Sequence, residues 1–383
     1  MENFVYQNPT KLVFGKGTIA KVAELIPIES KVLMTYGGGS IKRNGVYEQV
    51  VRALKGRPLL EFGGIEPNPR YETLMKAVEL CRREHVRFLL AVGGGSVLDG
   101  TKFIAVATFY DAGDPWDILS KHATPTRALP IGCVLTLPAT GSESNPFAVI
   151  SRESTCEKLA FSSPLVYPTF SIIDPETHYS LPRRQVQNGI ADAFVHVMEQ
   201  YLTYPANAPV QDRFAEAIAR TLIEYGPKAL RQPRNYNVRA AVALCSTLAL
   251  NGLIGCGVPQ DWTTHLIGHE LTAFYGLDHG QTLVVLLPAV WRHQKRLKRK
   301  KLEQLAERVW DIKNAKDKAE AAIRQTEEFF RSALGMKTRL SEYGIGPEKF
   351  QQIAARFDAR GQKLGEHKAI GAKQVVEILK LSL

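Results

Sequence analysis

The sequence predicts an α/β domain built on a doubly wound parallel sheet, followed by an all-helical domain. Three observations carry this. Short apolar stretches alternate with helical patterns up to about Leu181. Two of those stretches end in the same turn, GGGS, directly ahead of a helical pattern. Beyond Pro182 the strand signal fades and long amphipathic segments replace it.

Taken in order, LVFG opens a first short strand, and KVLMTY at Lys31 to Tyr36 reads as a strand ending in GGGS at Gly37 to Ser40. A helical pattern from Val46 to Leu54 and the strand LLEFGG follow. The Pro-rich EPNPR at Glu66 to Arg70 leads into a helix from Tyr71 to about Glu84. RFLLAV at Arg87 to Val92 is nearly all apolar, as in a parallel strand covered on both faces, and ends in the second GGGS, Gly93 to Ser96. The next helix is expected from about Asp99. Ile131 to Asn145 reads as a strand and a polar turn, and FSIIDPETHYSLP closes the β-containing half. The division falls at Leu181, giving domains 1–181 and 182–383. The second domain is read as helices over Gln185–Tyr201, Asp212–Leu230, Val238–Ile254, Trp262–Tyr275, Lys300–Trp310, Asp317–Ala333 and Gln374–Leu381.

Composition narrows the function classes. Hydrophobic residues at 45% and charged residues at 23% suit an ordinary globular protein. No apolar run reaches the ~20 residues that span a bilayer, and the start, MENFVYQNPTKLVFG, lacks the basic-then-apolar pattern of a signal peptide. A cytoplasmic enzyme with no membrane partner is expected. The five cysteines are scattered and never form CxxC, which fits free thiols and argues against a cysteine metal site. The net charge of +11 raises nucleic acid as a partner, but the run RHQKRLKRKK at Arg292 to Lys301 carries seven of those positive charges. The run lacks interleaved aromatics and reads as a solvated helix face, so no nucleic-acid partner is expected.

Chemistry concentrates in DWTTHLIGHELTAFYGLDHG, Asp261 to Gly280, which holds three of the nine histidines. His265 and His269 are four apart on a helical segment and share a face. Gly276 offers a break after which His279 can turn back. Upstream, in GIADAFVHVMEQY, Asp192 and His196 repeat the four-residue spacing. A carboxylate with several imidazoles suits zinc, iron or another divalent first-row metal. The GGGS turns let backbone approach a ligand closely and set a helix N-terminus behind it, an arrangement suited to phosphate. TLPATGSESN adds Thr136, Thr140, Ser142 and Asn145 as donors. A metal site beside phosphate-type turns points to a nucleotide-using metalloenzyme.

Together these motifs resemble the iron-containing (group III) alcohol dehydrogenases, and within them the bacterial NADPH-dependent aldehyde reductases and butanol dehydrogenases. NPTKLVFGKG, YGGGSIK, GIEPNPR, AVGGGSVLDGTKFIA, LTLPATGSESN, Lys158, Asp174-Pro175, ADAFVHVMEQY and HLIGHELTAFYGLDHG carry the resemblance, which weakens after Trp310. It implies a dehydroquinate synthase-like architecture, with a Rossmann-like cofactor domain ahead of a helical metal-binding domain. It implies metal ligands Asp192, His196, His265 and His279, with His269 beside the metal as a catalytic proton relay. It implies that Gly94, Gly95 and Ser96 hold a pyrophosphate with Asp99 close by. Thr136, Thr140, Asn145 and Lys158 would contact ribose or nicotinamide, and Asn68 of GIEPNPR would join the cofactor set.

Gly37, Gly38, Gly39 and Ser40 stand where NAD-using members tend to carry an Asp, and Lys42 and Arg43 follow, so NADP(H) is expected. The activity implied is hydride transfer between NADP(H) and a small aldehyde or primary alcohol, with one divalent metal, zinc or iron, in a homodimer. A polyol (glycerol-type) dehydrogenase of the same architecture is the alternative. A metallohydrolase is disfavoured, because HLIGHE puts Glu270 after the second histidine and leaves no HExxH base.

Overall fold

Buried parallel strands need crossover helices, and the alternating pattern of the first half supplies them. The computed structural model describes residues 1–383. Its strands are β1 (Lys11–Phe14), β2 (Val32–Thr35), β3 (Leu59–Phe62), β4 (Phe88–Gly94), β5 (Ile131–Leu137), β6 (Phe147–Arg152), β7 (Glu157–Ser162) and β8 (Phe170–Ile173). Six of them form one parallel sheet in the order β1-β8-β5-β4-β2-β3, while β6 and β7 pair antiparallel as a hairpin. Between them run α1 (Val22–Leu25), α2 (Val46–Ala53), α3 (Tyr71–Arg83), α4 (Gly95–Ala107) and α5 (Asp117–Ser120). One apolar layer, with Leu33, Leu89, Phe103 and Ile104, covers one face of the sheet. A second, with Val32, Leu90, Val50 and Phe170, covers the other.

After β8 come nine α-helices: α6 (Arg183–Tyr201), α7 (Pro209–Arg231), α8 (Tyr236–Ala249), α9 (Thr263–Tyr275), α10 (His279–His293), α11 (Lys295–Arg308), α12 (Lys318–Glu328), α13 (Phe350–Ala359) and α14 (Ala372–Leu381). The chain divides into two units, neither continuous in sequence. The sheet unit comprises Gln7–Pro182 and Pro233–Thr247, and the helical unit Met1–Tyr6, Arg183–Gln232 and Leu248–Leu383. The α/β-then-α class read from the sequence is the class observed.

Several local expectations are corrected. Helix α4 begins at Gly95, not near Asp99, so β4 passes into it with no intervening turn. The hairpin β6–β7 was not anticipated. Helix α8 stops at Ala249 rather than Ile254, and α11 starts at Lys295 rather than Lys300. Helices α10 and α13 were not read at all. Helix α10 is buried along its whole middle, from Thr282 to Trp291, so it has no polar face to show a period.

The basic run is a solvated face only in part: Arg296, Arg299 and Lys300 are exposed, and the other four cations are partly or fully buried. Lys298 is buried against Asp261 Oδ2 at 2.9 Å and Glu366 Oε1 at 2.8 Å. Buried Lys301 meets Asp212 at 2.6 Å, while Lys295 pairs with Asp317 and Glu320, and Arg292 with Glu320 and Glu327. Long cationic side chains in this run lock α11 and its preceding turn to acids of the same unit.

Candidate functional site

In the helical unit, two glycines let three helices approach closely. A Cβ at Gly280 would lie 2.8 Å from the Cα and carbonyl oxygen of Asn188, so only glycine lets α10 start against α6 there. Asn188 is one turn before Asp192, and His279 is the first residue of α10, so the close approach brings His279 to Asp192. A Cβ at Gly268 would meet Thr282 Oγ1 at 2.8 Å, which draws α9 onto α10 in the same way. Asp278 closes the arrangement. It caps α10 in a capping box with Gln281 and accepts from Arg184 at 2.6 Å and Asn188 at 2.7 Å.

The outcome is a cluster around one carboxylate oxygen. Asp192 Oδ1 lies 3.6 Å from His196 Nδ1, 3.6 Å from His265 Nε2 and 3.7 Å from His279 Nε2. Asp192, His265 and His279 form a group whose ligand atoms all lie within 4.8 Å of one another. His196 lies beside that group, its ring stacked on that of His265 at 4.5 Å. His269, one turn after His265, has its ring 5.4 Å from that of His279. These O···N separations are long for hydrogen bonds. They are near the ~3.4 Å that separates ligand atoms held ~2.1 Å from a tetrahedral cation. His265 Nε2 and His196 Nδ1 are buried without a hydrogen-bond partner, and such atoms are costly unless something takes their lone pairs. The donor set and its spacing fit a divalent metal.

The two neighbouring imidazoles differ in protonation. Burial pushes the His196 imidazole down to about 4, against the pull of Asp192. Burial also disfavours a charged His265, but Glu199 and Asp192 together hold it up at about 9. A cation taking the His265 lone pair would release that proton. Glu199 is the residue sequence reading missed: its carboxylate faces His265 Nδ1 and accepts from the Thr264 N–H at 2.6 Å. The signal was present, because Asp192, His196 and Glu199 stand at i, i+4 and i+7 on one helix face. Glu270, the only acid of the HLIGHE stretch, is held by Arg356 at 3.0 Å and Arg360 at 2.6 Å and is no free base.

In the sheet unit the second GGGS works through absent side chains. A Cβ at Gly95 would sit 2.6 Å from Thr140 Cγ2 and Oγ1, and one at Gly94 2.8 Å from Leu137 Cβ. Helix α4 therefore starts pressed against β5 and the turn after it. Its N-cap, Gly94, offers no side chain, and no acid lies in the first turn. Those N–H groups at a helix N-terminus fit a pyrophosphate.

Around this turn the predicted contacts divide. Ser96 Oγ accepts from the Asn68 N–H at 3.3 Å, and Lys158 Nζ donates to Asn68 Oδ1 at 2.8 Å, so Ser96, Asn68 and Lys158 come together. Asn68 holds a left-handed φ of 58° to do so. Asp99 accepts from Ser142 Oγ at 2.7 Å and from the Val149 N–H at 3.0 Å, which ties α4 to the turn and to β6. Thr140 Oγ1 accepts from the Ser142 N–H, and Asn145 Oδ1 from the Phe147 N–H. Thr136 is buried on β5. Lys102, which sequence reading passed over, anchors the turn. Fully buried, it donates to Ser142 Oγ, to Asn145 O and Oδ1 and to Phe147 O at 2.8–3.1 Å. Burial pulls its ammonium down to about 8 despite Asp99 and Glu143.

The first GGGS sits at the end of β2, the in-register neighbour of β4, so both turns lie at the C-terminal edge of the sheet. Gly39 has φ 82° and open space around it. Lys42 is not a free cation, however. Its Nζ pairs with Glu61 Oε2 at 3.2 Å and lies over the rings of Tyr36 and Tyr47 at 5.0 and 4.7 Å.

Comparison with known proteins gives the family. The iron-containing alcohol dehydrogenase family matches residues 9–175, and the C-terminal part of the Fe-containing alcohol dehydrogenase family matches 186–383. NADPH-dependent aldehyde reductase YqhD of Escherichia coli is 57% identical over 96% of this chain and 96% of its own. The probable NADH-dependent butanol dehydrogenase 1 of Bacillus subtilis is 43% identical over 100% of both chains. The crystal structure of E. coli K-12 YqhD superposes with a TM-score of 0.98, at 55% identity, over 100% of this chain and 99% of that one. With both halves matched and identity this high, the chain belongs to the iron-containing alcohol dehydrogenase family.

Proposed function

We propose that this protein is a metal- and NADPH-dependent aldehyde reductase, reversibly an alcohol dehydrogenase. The observation that carries the reading is the set of three imidazole nitrogens at 3.6–3.7 Å from Asp192 Oδ1. Asp192, His196, His265 and His279 would hold the metal. Gly94, Gly95 and Ser96 would hold the cofactor pyrophosphate, with Gly37, Gly38, Gly39 and Ser40 at the adenosine ribose. Asn68, Thr136, Thr140, Asn145 and Lys158 complete the cofactor contacts, and Asp99 acts by fixing the turn. When bound, the metal supplies Lewis acidity and the nicotinamide a hydride. His269, buried one turn from His265, would pass a proton to the oxygen of the reduced carbonyl.

Relatives of this chain include proteins named for either nicotinamide cofactor, so the choice rests on the first turn. No acid stands at Gly37 to Ser40 to repel a 2′-phosphate, which favours NADPH. A homodimer is the expected assembly. Edge strand β1 supports it, with Leu12 and Phe14 each 39% exposed and available to a second copy. The five free cysteines support a cytoplasmic location, and no helix is long and apolar enough to cross a membrane. The test is NADPH and NADH consumption against a panel of aldehydes, by protein stripped with chelator and reloaded with zinc or iron. Turnover of simple aldehydes with NADPH, dependent on metal, is expected. Metal-independent turnover, or turnover of polyols alone, would overturn the reading.

A further inference from the structure

We infer that Glu199 is the positioning residue of the metal centre: it fixes the His265 ring in the tautomer whose Nε2 can ligate. The inference rests on the metal reading above. Helix α9 begins with a defect, because its N-cap residue is Trp262, which offers no acceptor to the first-turn N–H groups. Asp261 Oδ1 takes the Thr263 N–H at 2.9 Å, and the next acceptor comes from α6. Glu199 takes the Thr264 N–H at 2.6 Å and the His265 N–H at 3.4 Å, and its own carbonyl takes the Asp261 N–H at 2.8 Å. The same carboxylate faces His265 Nδ1. Both groups are buried, so water offers no substitute partner.

Both Glu199 oxygens accept from backbone N–H groups, so toward this carboxylate Nδ1 is the donor and carries the proton. The lone pair is then left on Nε2, which points at Asp192 Oδ1 from 3.6 Å. One acid thus caps the helix and sets the donor face of a ligand on it. Such outer partners fix ring orientation and raise ligand basicity.

Glu199→Gln separates the two jobs. With its amide oxygen toward the Thr264 N–H, the amide NH₂ faces His265 Nδ1 and forces the proton onto Nε2, where it blocks the metal. With the amide reversed, NH₂ opposes the Thr264 N–H and the cap is lost. The reversed amide would set two N–H donors against each other at the 2.6 Å contact with Thr264, so the first arrangement is the one adopted, and zinc binding weakens in a protein whose shape is preserved. Competition with a chromogenic chelator should show zinc affinity lower by about 10- to 100-fold in Glu199→Gln than in the unmodified enzyme. Thermal unfolding of the two metal-free proteins should differ far less than that of the zinc-loaded ones. Unmodified protein that binds no zinc would sink the metal reading itself. Unmodified protein that binds zinc tightly, with Glu199→Gln binding it equally well, would overturn this inference alone. If Glu199→Gln fails to fold, ¹⁵N spectra of the zinc-loaded unmodified enzyme decide. A protonated Nδ1 on His265 is expected, assigned by its loss in His265→Ala, and zinc on Nδ1 would overturn the proposal.

Discussion

Asp192, His265 and His279 meet through the atoms their side chains offer, whereas Gly93, Gly94 and Gly95 matter for the side chains they lack. In the helical unit, glycines at 268 and 280 let helices close until ligand atoms converge. In the sheet unit, glycines let a helix N-terminus press against β5 and leave its first turn without a side-chain cap. The polar side chains nearby are largely committed to one another, with Asp99, Ser142, Asn145 and Lys102 in one internal network. A metal centre selects residue types, while a phosphate turn selects backbone shape.

The sharpest way to break this contrast is at a single ligand. His279→Ala should leave the fold intact, lower bound zinc or iron, and reduce kcat/KM by about 10²-fold or more, the several kcal/mol a Lewis acid supplies. His269→Ala is its control. It should keep the metal and lose turnover with an altered pH profile. Metal content by elemental analysis checks both, and full activity of metal-free His279→Ala would remove that residue from the centre.

Gly95→Ala tests the other side with one methyl. Its Cβ would need the space of Thr140 Cγ2 and Oγ1, 2.6 Å away. Overpacking of this kind costs about 1–3 kcal/mol, so a loss of that size in urea unfolding is expected, with KM for the cofactor raised about tenfold. Metal content should not change. A variant with unaltered cofactor KM would show that the turn tolerates bulk and that the close approach serves packing alone.

The same contrast explains what could be read in advance. The i,i+4 pairs at Asp192/His196 and His265/His269 stood out because histidine is sparse, nine in the chain, and helical phase is regular. Strands β2, β4 and β5 stood out because buried parallel strands are continuous apolar runs. Helix α10 was illegible for the converse reason: packed on every side, it shows no amphipathic period, and Pro288 interrupts it. Hairpin β6–β7 is hard to read because the turn between FAVISR and EKLAFS, Glu153 to Cys156, holds no glycine or other strong hairpin signal. Lys298 and Lys301 misled because a cationic run does not reveal acids such as Asp261 and Glu366, which come from distant segments. Glu199 shares a helix face with Asp192 and His196, a legible signal, but its partner His265 lies on another helix, and Lys102 carries no motif of its own. Each acts through a second residue, and only the folded chain identifies that partner.

The smallest expected effect is at Gly39, where backbone shape and side-chain charge can be separated. Gly39 has φ 82°, and nothing lies within 4 Å of where a Cβ would stand, so a side chain there has room but an unfavourable backbone. Asp and Asn tolerate the left-handed region better than other residues, and they do so alike. Gly39→Asn therefore measures the backbone cost, and Gly39→Asp adds only a charge. On the proposed reading that charge faces the 2′-phosphate of NADPH and offers an acceptor to the ribose hydroxyls of NADH. Lys42, already engaged by Glu61 at 3.2 Å, has its charge offset before any phosphate arrives, so it magnifies the contrast little. An exposed charge pair contributes up to about 1 kcal/mol, so Gly39→Asp should lower the NADPH-to-NADH ratio of kcat/KM by about 2- to 5-fold relative to Gly39→Asn. The gap should narrow as salt is raised through physiological strength, where such charges are screened. Equal ratios in the two variants at low salt would show that this turn selects its cofactor by backbone shape alone.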